Sequence, residues 1–255
     1  MVVRKTARAV CFIVALFAIG MLSSCAGKTP EVIEAPKTIG ELSFDQNPEF
    51  GYTIYLPEEQ GYAPYLVLTG AYQGNVLLLR KELLERPARI SDYSSYYADS
   101  EMDQFLNADF LSTLPASLRQ WIVPAEILIS APESIGVCGE ECGEIVRSVF
   151  LLSCAEIGVN LSTTAREGDA LQYFSDPERR VAERDGVASS WWLRSPDNSY
   201  VSCVFGVGYD GIVGSGNANG SNGVRPAFCV NAELPICLSE KLVEGRSVYL
   251  PLLSQ

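Results

Sequence analysis

Trp191-Trp192-Leu193-Arg194-Ser195-Pro196 and Ser221-Asn222-Gly223-Val224-Arg225-Pro226-Ala227-Phe228 are the two stretches that decide how this chain is expected to fold. Each places an arginine inside a dense apolar or aromatic run. Because a guanidinium keeps its charge in a protein, its burial requires fixed hydrogen-bond partners. We therefore predict that Arg194 and Arg225 are structural arginines that hold the C-terminal strands together. The alternative is that they bind an anionic ligand bidentately.

The rest of the sequence mixes strand-like and helix-like patterns. Apolar or alternating runs predict strands at both ends of the chain. In the middle, Ser100 stands at a capping position before apolar residues that follow at helical spacing up to Phe110. Ser153-Cys154-Ala155-Glu156 has capping-box spacing for a further helix, and the charged stretch 176–184 is predicted to be a solvated helix. This arrangement predicts an α+β domain whose terminal strands meet in one sheet.

The N-terminus has the pattern of a bacterial export signal. Three basic residues precede an apolar stretch, Ala9–Leu22, that is too short and too early to favour a resident transmembrane helix. The stretch ends in Leu22-Ser23-Ser24-Cys25, which resembles a lipobox. The resemblance implies cleavage before Cys25, thioether lipidation and acylation of Cys25 with fatty acids such as palmitate, and anchoring on the extracytoplasmic face of a membrane in the cell envelope. Simple secretion and an uncleaved anchor are the alternatives.

The charge of the chain argues against several classes of partner. Removing segment 1–24, which holds three basic residues and no acidic one, takes the formal charge from −12 to −15. An acidic protein lacks the clustered lysine and arginine that phosphate binding requires, so we expect no nucleic-acid partner. We divide the chain into a signal peptide (1–24), a lipidated cysteine with a tether (25–48), one folded domain (49–240) and a C-terminal extension (241–255).

Cysteine and histidine usage narrows the possible chemistry. Six cysteines follow Cys25, and in an exported protein an even number favours disulfides. Cys138-Gly-Glu-Glu-Cys142 is the predicted local bridge. The chain has no histidine, which excludes a Ser-His-Asp or Cys-His catalytic unit and a histidine-ligated zinc site. The other cysteines lack the paired spacing of a metal site, so we predict none.

The order of five motifs resembles a bacterial domain family of secreted and surface proteins that has no assigned function. The motifs are Leu78-Leu-Leu-Arg, Ser100 to Phe110, Phe150-Leu-Leu-Ser153, Trp191-Trp-Leu-Arg-Ser-Pro196 and Asn222-Gly-Val-Arg-Pro-Ala227. That family in turn is similar to the C-type-lectin-like fold of formylglycine-generating enzymes and variable receptor-binding proteins. The resemblance implies a single C-type-lectin-like domain and supplies no catalytic residues.

The segment from Gly214 to Asn222 is the predicted ligand-binding surface. Its glycines and short amide side chains suit hydrogen bonding to a polar ligand. We predict a binding loop; an irregular loop held by asparagine turns is the alternative. One of the two adjacent tryptophans is expected in the core, and the other could stack on a ligand ring. The candidate binding residues are Tyr200, Tyr209, Asn217, Asn219 and Asn222.

The same region contains partial signals for two classes of cofactor, a dinucleotide and calcium. Gly206-Val207-Gly208-Tyr209-Asp210-Gly211 formally matches a dinucleotide fingerprint, but Asp210-Gly211 is a hairpin-turn signal and no helix is predicted after it. We therefore expect no nucleotide. Calcium would find carboxylates only at Asp197 and Asp210, although it takes six to eight oxygen ligands. We predict no cofactor.

Together these features predict a lipid-anchored extracytoplasmic module that binds a glycan, a peptide or a protein. A formylglycine-generating-type or other cysteine-dependent oxidase is one alternative, and a structural cell-envelope domain is the other. Enzymatic activity stays open, with no catalytic residue proposed.

Overall fold

A computed structural model of the chain describes residues 35–46, 52–243 and 246–254. The predicted signal peptide and Cys25 lie outside the described residues. In the described part of the chain, no helix is both long enough and apolar enough to span a membrane.

The described residues form mainly strands. They are β1 (Thr53–Glu58), β2 (Gly61–Tyr72), β3 (Asn75–Arg80), β4 (Ile122–Val123), β5 (Ala125–Ser130), β6 (Cys142–Arg147), β7 (Ala182–Arg184), β8 (Val187–Ser189), β9 (Trp191–Pro196), β10 (Cys203–Val207), β11 (Val213–Asn217), β12 (Ala227–Val230), β13 (Ile236–Val243) and β14 (Arg246–Pro251). The helical segments are α1 (Glu101–Phe105), a π-helical segment (Leu106–Phe110), α2 (Leu111–Thr113), α3 (Ala116–Arg119) and 3-10 turns at Gly40–Leu42, Pro132–Ser134, Gln172–Ser175 and Pro177–Arg180.

A curled seven-stranded sheet carries most of the core, in the order β13-β14-β1-β2-β3-β12-β4. Strands β2 and β3 form a hairpin because Gln73 and Gly74 both have positive φ, 52° and 78°, as the commonest two-residue hairpin turn requires. The central strands β3 and β12 are covered on both faces, so Val76–Leu79 and Ala227–Val230 are fully buried.

A second sheet has the strand order β11-β10-β9 and is built from residues 191–217. Strand β9 joins the two sheets, since Trp191 forms a parallel bridge with Gly223 just before β12. The turn between β10 and β11 contains Gly211, whose φ of 82° confirms the hairpin turn predicted at Asp210-Gly211. Two further ribbons, β5-β6 and β7-β8, complete the strands of the described residues.

The predicted C-type-lectin-like α+β fold is wrong: the protein is mostly β, with 38% strand and 15% helix. The helix after Ser100 forms, and Ser100 Oγ accepts a hydrogen bond from Asp103 N. The capping box at Ser153 and Glu156 also forms, with Ser153 N donating to Glu156 Oε2 at 2.9 Å. It closes a single turn that ends at Gly158, where φ is 75°. Residues 176–184, predicted as a helix, form a 3-10 turn followed by β7.

The folded unit extends beyond the predicted limits of 49–240. Ile39 and Leu42, placed in the predicted tether, are fully buried, and Ile39 N donates to Leu234 O at 2.9 Å. The predicted C-terminal extension contains β14, which pairs in parallel with β1. Both ends of this unit are therefore parts of the main sheet and its packing.

Candidate ligand-binding groove

A shallow groove of about 310 Å³ lies on one face of the second sheet. We call it the glycine groove and define it by Trp192, Gly206, Gly214, Gly216 and Asn222. Gly206 and Gly214 are directly opposed across β10 and β11, and Gly216 lies two residues further along β11 on the same face. The floor consequently carries no side chain at these three positions.

Backbone crowding explains the glycine at position 206 of this floor. A Cβ on Gly206 would lie 2.8 Å from the carbonyl oxygen of Trp191 and 3.4 Å from the Trp192 ring. A Cβ on Gly216 would lie 3.7 Å from the same ring. The ring is 4% exposed, and its Nε1 donates to Ala88 O at 2.9 Å. Both tryptophans are buried, so neither ring is exposed for stacking on a ligand.

Asn222 supplies the groove with an oriented hydrogen-bond donor. Its Oδ1 accepts from Ser190 Oγ at 2.5 Å and from Gly223 N at 3.0 Å. These two bonds fix the amide plane. The Nδ2 atom lies 3.2 Å from the position that a Cβ on Gly206 would take, and it donates to no acceptor of the described residues. A ligand in the groove could accept this bond.

The rim of the groove combines a carboxylate with exposed apolar surface. Asp210 Oδ1 accepts from Ile212 N at 3.1 Å, which leaves the second oxygen available. Tyr209 and Ile212 are both 69% exposed. Single exposed apolar residues are common, but here two flank one concave surface.

The structure brings only part of the predicted binding set together. Asn222 lines the groove and Tyr209 lies beside it, in the turn at one end of the β10–β11 hairpin. Asn217 is at the other end of the hairpin, opposite Cys203. Asn219 and the exposed Tyr200 lie in the turns beyond that end. Four of the nine residues of the predicted loop, Gly214–Asn217, belong to strand β11.

Several groove residues escaped the sequence prediction, notably Ser190 and Gly206. The available signal was the spacing of glycines two residues apart at positions 206, 208, 214 and 216. Such spacing places them on one face of paired strands.

The match to a family model covers residues 73–232, which is more than half of the chain, and the model is described as domain of unknown function DUF6273. The chain belongs to the DUF6273 family. No lectin-like or formylglycine-generating family is shown, which corrects the finer resemblance inferred from the motifs. No curated protein and no solved structure matches the chain. The DUF6273 match contains all of the glycine groove and β9 to β12.

Behind the groove, the DUF6273 domain buries Arg194 in a complete set of acceptors. Its Nη1 and Nη2 contact the two carboxylate oxygens of Glu156 at 2.6 and 3.1 Å. Three backbone carbonyls, of Leu128, Leu151 and Glu167, accept its other bonds. Burial disfavours the charged guanidinium, but the attraction of Glu156 outweighs this effect and raises the pKa of Arg194. Arg194 therefore has no donor left for a ligand.

A second buried carboxyl group, Glu167, lies next to this ion pair. It is fully buried, accepts from Ser130 N at 2.5 Å and contacts Ser195 Oγ at 2.5 Å. Desolvation by burial raises the pKa of Glu167, although Arg194 and the two serine contacts oppose the shift. Ser195 Oγ also accepts from Cys154 N, so this carboxyl group connects three segments of the core.

Arg225 of the DUF6273 domain is buried without a carboxylate partner among the described residues. Its Nε and Nη2 donate to the carbonyl oxygens of Arg80 and Lys81, and its guanidinium lies 5.0 Å from the centre of the Trp191 ring. The Nη1 atom has no hydrogen-bond partner in the described structure. Burial lowers the pKa of Arg225 to about 10.

The cysteines form no disulfide among the described residues, so the predicted Cys138–Cys142 bridge is not supported. Cys138 Sγ contacts Ser199 Oγ, and Cys142 Sγ contacts Arg166 O, each at 3.5 Å. Burial raises the pKa of Cys154 to about 12, which makes its thiol a poor nucleophile.

The two carboxylates considered for calcium are engaged separately. Asp197 accepts from Ser199 N at 3.1 Å and from Ser215 Oγ at 2.9 Å, whereas Asp210 caps the β10–β11 turn. Within the described ranges, no cluster of three or more acidic or cysteine side chains could hold a metal ion.

Proposed function

We propose that this protein is a lipid-anchored extracytoplasmic binding module whose ligand, a glycan, a peptide or a protein, occupies the glycine groove. The observation that carries the proposal is the Nδ2 atom of Asn222. Two accepted hydrogen bonds hold this donor above a floor of glycines, and its own proton positions have no acceptor in the described structure. Oriented polar groups on a rigid apolar frame are typical of ligand sites.

The groove can be filled without disturbing the fold. A Cβ on Gly214 would meet no heavy atom within 4 Å, and its φ is not in the left-handed region. We expect Gly214→Val to abolish retention of the purified domain on isolated cell-envelope material. Asn222→Asp keeps an oxygen for Ser190 and Gly223 but replaces the free donor by an acceptor, so we expect it to weaken retention strongly.

Gly143→Val is the matched control for Gly214→Val. Gly143 lies on β6, a Cβ there also meets nothing within 4 Å, and it does not line the groove. Retention equal to wild type for Gly143→Val, together with its loss for Gly214→Val, supports the proposal. Unchanged retention for both Gly214→Val and Asn222→Asp, with unchanged melting temperatures, would exclude the groove as the binding site.

The anchor is tested separately. Cells that express the full chain are labelled with radioactive palmitate, and the protein is followed through membrane fractionation. We expect label and membrane association in the wild type and neither in Cys25→Ala. One acyl chain holds a protein only marginally and several hold it firmly. Membrane-bound, unlabelled protein would contradict lipidation at Cys25.

A further inference from the structure

The outer edge of β11 is unpaired in the described structure. Strand β11 is the last strand of its sheet, and apart from β10 no described strand forms a bridge with Val213–Asn217. An exposed strand edge presents a row of N–H and C=O groups that can pair with another chain. Proteins commonly protect such an edge with lysine, proline or a covering element, and β11 (Val-Gly-Ser-Gly-Asn) contains neither residue.

The register with β10 identifies which groups point outward. Antiparallel pairs alternate between hydrogen-bonded and non-hydrogen-bonded positions. Ala218 N donates to Ser202 O and Gly208 N donates to Ile212 O, each at 2.7 Å. Gly214 and Gly216 fall in the same phase and bond to β10.

The alternate residues Val213, Ser215 and Asn217 therefore direct their N–H and C=O groups to the open edge. The carbonyl oxygen of Asn217 accepts from Gly220 N, so the outward row comprises three donors and two acceptors.

An apolar cavity of about 340 Å³ lies beside this edge. Val159 and Leu161 form one wall, and Val213 forms part of the other. Two carboxylates, Glu178 and Asp210, line the same cavity. Arg180 also lines it, with its Nε donating to Ile157 O at 3.0 Å, and its single positive charge leaves the lining net negative. The surroundings therefore favour an apolar side chain with a basic neighbour.

We infer that β11 is the docking edge for an extended peptide segment of a partner protein, which adds a strand to the β9–β11 sheet. An apolar side chain of the peptide enters the cavity at Val159 and Leu161, and an adjacent lysine or arginine faces Asp210. The inference rests on the proposed function and deepens it by naming a peptide as the ligand: β11 borders both the glycine groove and this cavity, which share Asp210 and Ile212. A second copy of the chain suits the edge less well, because the carboxylates of two copies would face each other.

Strand addition makes a specific demand on the backbone of residue 215. Its N–H points outward, so Ser215→Pro removes a donor to the ligand and no bond to β10, and proline is tolerated on edge strands. Ser215→Ala is the matched control, because it removes the hydroxyl that contacts Asp197 but keeps the N–H.

The experiment pans phage-displayed random linear peptides against the purified domain. The most enriched peptide is then synthesised with single N-methyl groups along its backbone, and binding is measured by calorimetry. We expect the enriched peptides to place apolar residues at alternate positions and to contain at least one basic residue. We expect Ser215→Pro to bind the peptide at least about tenfold more weakly than wild type, and Ser215→Ala to change the affinity less than about twofold. N-methylation should abolish binding only at every second peptide residue, because alternate N–H groups face β11.

Three results would overturn the inference. In the first, panning enriches no peptide. In the second, the peptide binds wild type and Ser215→Pro equally and no N-methyl group weakens binding. In the third, the domain sediments as a dimer that Ser215→Pro dissociates. The N-methyl series uses the wild-type domain, so it decides the question even if Ser215→Pro folds poorly.

The failure of this inference differs from the failure of the proposed function. If Gly214→Val abolishes retention on cell-envelope material and Ser215→Pro does not, the groove binds a ligand that does not pair with β11. If neither variant changes retention, the proposed function itself fails.

Discussion

Arg194 and Arg225 are equally buried but are stabilised in different ways. Arg194 is 1% exposed and faces the carboxylate of Glu156, whereas Arg225 is 2% exposed and faces two carbonyl oxygens and the Trp191 ring. Removing one partner of a buried ion pair leaves an uncompensated charge. Removing Arg225 leaves only neutral groups without a partner.

The first prediction compares the two arginines. We expect Arg194→Met to lower the free energy of unfolding by about 3–5 kcal/mol, because Glu156 stays buried without its counter-charge. We expect a smaller loss of about 1–3 kcal/mol for Arg225→Met. Urea unfolding measures both, and Arg166→Met, at a side chain that is 75% exposed, is the control. An equal or larger loss for Arg225→Met would contradict the structural difference.

The second prediction concerns Glu167 and pH. Burial raises its pKa in the folded state, so its contribution to stability is complete below the ordinary carboxyl pKa of about 4.3 and is lost as pH rises through the raised value. Glu167→Gln keeps the contacts with Ser130 and Ser195 but does not titrate. We expect wild type to lose stability relative to this variant as pH rises from 4 to 8, by at most about 1.4 kcal/mol per pH unit. A difference that is independent of pH would show that folding does not raise the pKa of Glu167.

At the residue scale, the sequence predicted burial of both arginines because each lies in an apolar run. It could not predict their partners. Glu156 is 38 positions from Arg194 in the chain, and nothing local distinguishes it from a solvated glutamate. Local sequence could not predict either that Arg225 is buried without a carboxylate partner among the described residues.

At the scale of elements, spacing predicted structure where local bonds suffice and failed where long-range pairing decides. The hairpin turn was predicted from the Asp210-Gly211 pair, and it forms with Gly211 at a φ of 82°. The capping box at Ser153 predicted a helix, but Glu156 is held by Arg194 and by Tyr72 at 2.7 Å, and the chain turns away at Gly158. A glycine-rich loop was predicted at Gly214–Asn222, but pairing with β10 makes its first four residues part of a strand.

The third prediction separates two glycines that face each other across β10 and β11. A Cβ on Gly206 would lie 2.8 Å from a backbone oxygen, whereas one on Gly214 would point into open space. We expect Gly206→Ala to lower the free energy of unfolding by about 1–3 kcal/mol through overpacking, and Gly214→Ala to change it by less than about 0.5 kcal/mol. Urea unfolding of both variants at one pH provides the measurement. Equal effects would mean that the Trp191 carbonyl oxygen does not exclude a side chain at position 206.

At the scale of the whole molecule, the sheet order decides where the domain ends. A C-terminal extension was predicted from residue 241, whereas the structure places β14 there. The pairing is long-range: Ile54 of β1 faces Tyr249 of β14, nearly two hundred residues later. No local pattern contains that information. Strand β14 lies between β13 and β1, so it connects β13 to the rest of the sheet.

The last prediction follows from this order. A chain that ends at Glu240 lacks β14, exposes the edge of β1 and leaves β13 without its partner, although every residue of the glycine groove is retained. Loss of the buried Tyr249 alone should cost about 1.5–3 kcal/mol. We expect a large fall in melting temperature. A chain that ends at Leu252 keeps all of β14 and serves as the control, with a melting temperature close to wild type. If the shorter chain melts like the control, the C-terminal strands contribute nothing to the stability of the main sheet. If it melts earlier but still binds at low temperature, the groove is organised by β9 to β12 independently of the strands that close the other end.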